Sequence, residues 1–157
     1  MIIALLIIIC IVVALTWFTT KMDSNIEASF TPSGKLTPVD GGIIHWQKQG
    51  NGPALVLIHG LLGNSNNFSE LAKTLASRYT VYTVDRPGSG FSSRYKSTSA
   101  SFEQQSKMIL EWMEKEGIEK ASIAGHSMGG GIALRMAIDA PEKIKSVSLL
   151  CPLTTPL

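Results

Sequence analysis

The chain has 157 residues, enough for one domain with a real core once a targeting segment is set aside. Charged residues make up 17% of it and the formal net charge is +2, which excludes the basic stripe that nucleic-acid binding requires. Its two cysteines, Cys10 in an apolar run and Cys151 in a strand-like run, form neither a disulfide framework nor a metal-ligand spacing.

Residues 2–18 carry no charge and one clearly polar side chain, Thr16. A run of this length can cross a bilayer as a helix, and Trp17 near its end suits the membrane interface. A single-pass anchor over residues 1–20 is expected. A cleaved signal peptide fits less well, because the start has no positive n-region and residues 14–17 are a poor small-residue cleavage site. A buried core helix is the other alternative, but so long an uncharged run exceeds ordinary core usage. Lys21 follows the run and no Lys or Arg precedes it, a charge bias toward a cytoplasmic C-terminal side that leaves sidedness open.

From Thr19 to Gly34 the residues are polar without sustained period, so residues 21–34 read as a linker and the domain as residues 35–157. Residues 36–39 and 43–47 are short apolar segments joined across Asp40-Gly41-Gly42, a hairpin signature. Residues 54–58 form a continuous apolar run between Gly52-Pro53 and His59-Gly60, as a strand buried on both faces does. Phe68, Leu71, Ala72 and Leu75 recur at helical spacing after a cap-forming region at residues 65–67. Residues 80–84 are strand, broken by the tight turn Asp85-Arg86-Pro87-Gly88-Ser89-Gly90.

A second helix opens at Ser101, with Gln104 as capping-box partner and Met108, Ile109, Trp112 and Met113 as its apolar stripe. After Gly117, residues 121–124 form a short strand; Ile132, Ala133, Met136 and Ala137 line a third helix stopped by Pro141, and residues 144–150 form the last strand. Alternating strands and helices require crossovers, so the expected fold is α/β: a mostly parallel sheet with helices on both faces.

Gly125-His126-Ser127-Met128-Gly129 falls between a strand and an amphipathic helix, the setting of a nucleophile elbow. Such a turn holds its serine strained and exposed, and glycine at 125 and 129 lets the backbone pass closely. The helix N-terminus adds a positive field and free N–H groups beside the hydroxyl. A glycine-rich turn with a chance serine is the bland alternative, and the placement of strand, turn and helix argues against it.

His59-Gly60-Leu61-Leu62-Gly63 and Asp85-Arg86-Pro87-Gly88-Ser89-Gly90-Phe91-Ser92, each after a strand, complete three landmarks in an order that resembles the α/β-hydrolase fold family. The resemblance extends from about Ser33 to the end of the chain. It implies Ser127 as nucleophile and the backbone N–H groups of Leu61 and Met128 as oxyanion donors. It also implies a triad acid and histidine on loops after later strands. Serine at 127, where dehalogenase-like and epoxide-hydrolase-like relatives carry aspartate, points to ester, amide or thioester acyl transfer, or a perhydrolase-like use of the same triad.

None of the three histidines matches the family's base. His126 is expected to pack away from Ser127 in a hydrogen-bonded role, His59 to order the oxyanion loop, and His45 to lie on the hairpin away from the site. Asp139 and Glu142 read as solvated surface charges, and Asp85 as the residue that orders its turn. The chain is therefore expected to be an incomplete hydrolase whose sheet stops near residues 149–153, inactive by itself, or a non-catalytic membrane-tethered remnant. No dinucleotide fingerprint or phosphate loop occurs, so no cofactor or metal is implied; the expected partners are a small-molecule acyl substrate and a membrane.

Overall fold

A computed structural model describes residues 2–29 and 31–153, which divide into two compact units, residues 1–33 and 34–157. The first holds the helix α1, Ile2–Ser29. Its side chains from Leu5 to Met22 are all exposed, and that window has a mean hydropathy of 2.2. The hydroxyls of Thr16, Thr19 and Thr20 donate to carbonyls three or four residues back, so the few polar side chains here are satisfied by the helix itself. The polar stretch from Thr19, expected to be irregular, is helical as far as Ser29. It contains no Pro or Gly, and the first breakers after it are Pro32 and Gly34.

Among the described residues, the second unit is a seven-stranded sheet with three α-helices. Strands β1 (Lys35–Val39) and β2 (Gly42–Gln49) form the expected hairpin, turning at Gly41 with φ 96°. They are followed by β3 (Ala54–Ile58), α2 (Ser69–Leu75, after a 3-10 turn capped by Asn64), β4 (Thr80–Val84) and the two-residue β5 (Ser93–Arg94). Then come α3 (Phe102–Lys115), β6 (Ala121–His126), α4 (Met128–Asp139) and β7 (Ile144–Leu150). Ser101 caps α3 by accepting from the Gln104 N–H.

The strand order is β1-β2-β4-β3-β6-β7, with β5 paired to β2. The sheet is mixed rather than mostly parallel. Strands β3, β4, β6 and β7 pair in parallel, whereas β2 runs antiparallel to β1, β4 and β5 alike. The hairpin docks against β4 instead of standing apart, so half of the strand pairs are antiparallel.

Alternate residues of β3 bury against opposite helix layers, which is why its sequence is continuously apolar. Val56 and Ile58 join the larger core with Trp112 of α3 and Met136 of α4, while Leu55 and Leu57 join Phe68 and Ala72 on the α2 side. Trp46, Tyr82 and Trp112 pack with ring centroids 5.7–5.8 Å apart, tying the hairpin and β4 to α3.

Candidate active site

Ser127 joins β6 to α4 at φ 51° and ψ −117°, a region that a residue with a Cβ rarely adopts. Its surroundings hold it there. Its N–H donates to Leu150 O (2.9 Å), and its carbonyl accepts from the N–H groups of Gly130 (2.9 Å) and Leu153 (2.8 Å). Among the described residues, the Ser127 hydroxyl makes no hydrogen bond.

The flanking glycines are required by space. A Cβ on Gly125 would lie 2.2 Å from the Gly129 carbonyl, and one on Gly129 would lie 2.2 Å from the Ile58 carbonyl at the end of β3. Glycine at 129 therefore lets the elbow settle onto β3, whose continuation is the loop His59-Gly60-Leu61. A Cβ on Gly60 would lie 3.1 Å from Ser127 Cβ, so this loop and the elbow touch. Met128 opens α4, and an N–H in the first turn of a helix has no intrahelical acceptor.

The loop is held from below. His59, 1% exposed, directs Nδ1 to Gly60 O (2.8 Å) and accepts at Nε2 from the Arg86 N–H (3.0 Å). Burial pushes the His59 pKa below its usual value; the bond to Gly60 opposes this, nearby Arg86 adds to it, and Asp85 opposes it. Arg86 is also buried, donating from Nη1 to Gln105 Oε1 (2.9 Å) and from Nη2 to Gly60 O (3.1 Å).

Asp85 orders its turn as its position implied. Its carboxylate accepts from the N–H groups of Ser65 (2.5 Å) and Phe91 (2.9 Å) and meets His45 Nδ1 at 2.8 Å. Gly90, at φ 54°, has no room for a Cβ beside that carboxylate.

The family model for the alpha/beta hydrolase fold matches residues 53–157. The chain belongs to the α/β-hydrolase fold family. It is 35% identical over 136 residues to the dihydrolipoyllysine-residue acetyltransferase component of the acetoin cleaving system of Cupriavidus necator, covering 86% of this chain and 36% of that protein. It is 35% identical over 104 residues to the pimeloyl-[acyl-carrier protein] methyl ester esterase of Vibrio parahaemolyticus, covering 66% of this chain and 38% of the esterase. A solved structure of a membrane phospholipase A, a bacterial virulence factor, matches with TM-score 0.73 and 26% identity over 96% of this chain and 51% of its own. The chain thus spans well under half the length of these curated relatives.

The fold brings together Ser127, Met128 and the Leu61 loop, and it pairs His45 of β2 with Asp85 and Phe91 of the turn after β4. His126 departs from expectation. It is exposed rather than packed, at the last residue of β6, with Nδ1 3.0 Å from where a Cβ on Gly60 would lie. Asp139 is exposed as expected, and its carboxylate accepts from Ser106 Oγ (2.8 Å) and Arg135 Nε (2.8 Å). Sequence reasoning passed over Arg86 as one letter of a turn motif. The signal available was a cation immediately after a buried strand, where a charge needs a partner.

Proposed function

We propose that this chain carries the nucleophile of a serine hydrolase acting on esters or related acyl bonds. Ser127 attacks the carbonyl carbon while its proton passes to a base. The Leu61 and Met128 N–H groups receive the oxyanion, and the leaving group departs with the proton to give an acyl-enzyme that water hydrolyses. The observation that carries this is the strained Ser127 backbone at the start of α4, held by bonds on both sides while the hydroxyl stays uncommitted. The esterase among the relatives supports the ester class.

The base is none of the three histidines here. His59 uses both ring nitrogens, His45 is bonded to Asp85, and His126 is the residue adjacent to the serine at the exposed end of β6. We therefore take the triad acid and histidine to be supplied by residues other than these. The same placement favours a second reading, a non-catalytic membrane-tethered remnant. In both, α1 acts as a single-pass anchor, supported by its apolar window and by the match to the membrane phospholipase A, whose 96% coverage reaches beyond residues 34–157.

Hydrolysis of a short-chain activated ester by the chain in detergent micelles, beside Ser127→Ala, separates the readings. The expected result is no Ser127-dependent turnover alone and measurable turnover when imidazole is added as an external base. Failure of imidazole to elicit it would favour the remnant. Turnover without imidazole that Ser127→Ala abolishes would mean that a residue present here is the base.

A further inference from the structure

We propose that Arg86 is a positioning residue of the oxyanion site, holding the Gly60 carbonyl so that the Leu61 N–H faces Ser127; the inference rests on the hydrolase reading above. The Gly60 carbonyl and the Leu61 N–H belong to one planar trans peptide, in which C=O and N–H point in opposite directions. Whatever fixes the carbonyl therefore aims the N–H. Three donors converge on Gly60 O: His59 Nδ1 at 2.8 Å, Arg86 Nη2 at 3.1 Å and the Gly63 N–H at 3.3 Å. Gly60 itself lies against Ser127 Cβ, so this peptide borders the nucleophile.

Arg86 acts on the carbonyl twice. Directly, its guanidinium bridges Gly60 O to Gln105 Oε1, and Gln105 is anchored in turn by donating from Nε2 to Ala100 O (2.7 Å) ahead of α3. Indirectly, its backbone N–H donates to His59 Nε2, which leaves the ring proton on Nδ1, the tautomer that can donate to Gly60 O. Arg86 is 3% exposed, the guanidinium's two partners, Gln105 Oε1 and Gly60 O, are neutral, and among the described residues its Nε has none. A buried cation with neutral partners is a costly way to fill a core, and an apolar side chain would serve stability better. The burial itself pulls the Arg86 pKa down from its usual value.

The test uses the full chain in detergent micelles, labelled with 15N, with Arg86→Ala, Arg86→Lys and Gln105→Leu. The direct readout is the Leu61 amide resonance, which needs no chemistry: Arg86→Ala is expected to shift it, and Arg86→Lys to restore part of the shift. In the imidazole-supported assay, Arg86→Ala is expected to lower the Ser127-dependent kcat about tenfold or more at unchanged KM, short of the roughly 10²–10³ lost with a whole oxyanion donor. Should Arg86→Ala fail to fold, Gln105→Leu, which frees one end of the guanidinium, is expected to move both readouts less in the same direction. A Leu61 amide unmoved in the folded variant overturns the proposal whether or not the chain turns over, whereas absence of Ser127-dependent turnover in the unaltered chain even with imidazole counts only against the hydrolase reading.

Discussion

His59 cannot take up a proton without losing a hydrogen bond, because its Nε2 accepts from Arg86 N–H while its Nδ1 faces Gly60 O. Burial keeps its folded pKa below the usual value of about 6.5, which the unfolded chain retains. The neutral ring is thus favoured by folding. Its contribution is complete above about pH 6.5 and is lost as pH falls from there through the folded pKa, where the unfolded state binds the extra proton. Thermal midpoints measured along a descending pH series should therefore drop more steeply for the unaltered chain than for His59→Gln; parallel curves would refute this. The ordering role of His59 was legible in the sequence because a histidine beside glycine in a loop after a buried strand has few other uses. The exposure of His126 was not, since the strand expected over residues 121–124 runs on to His126, and nothing local to the sequence says what covers its last side chain.

Elements were most legible where local composition alone determines them. Strands β3, β4 and β7 occupy residues 54–58, 80–84 and 144–150, the limits their apolar runs imply, because breakers or polar turns bound each run. Strand β5 was invisible, as two residues carry no period and only pairing with Gly42 and Ile43 makes them a strand. The mixed character of the sheet was equally hidden, since which strand a hairpin docks against is a tertiary choice. The apolar residues of α1, exposed in the first unit, would face water unless a bilayer covers them. We expect the chain expressed without detergent to sediment with membranes and to resist alkaline extraction. Lysine at both Ile8 and Val12, each costing about 2.5–3.5 kcal/mol near a membrane-spanning centre, should release it. Recovery of the unaltered chain at full mass in a high-speed supernatant would rule out the anchor.

At the scale of the whole sheet, the two edges are protected unequally. Strand β1 carries Lys35 and Pro38 on a five-residue edge, both of which discourage a further strand from pairing. Strand β7 is the other end of the order, and among the described residues no strand pairs with its outer side. Every position from Lys145 to Leu150 is exposed or half-buried, including Leu149 at 39% and Leu150 at 42%. Lys145 stands at the start of this strand, far from the two leucines, so the C-terminal half of the edge has hydroxyls and apolar side chains but no charge. A row of unpaired backbone groups flanked by exposed leucines is a template for another chain. The chain in detergent micelles should accordingly self-associate as its concentration rises, and Leu149→Lys with Leu150→Lys should suppress this. Because both side chains are already partly in water, the double variant should keep a near-normal thermal midpoint. The carbonyl of Leu150, the last residue of β7, also accepts the Ser127 N–H, a backbone bond that the side-chain changes leave in place. Light scattering across a dilution series decides the matter: a constant mass for the unaltered chain, or an equal rise for the double lysine variant, would show that the β7 edge is not the contact.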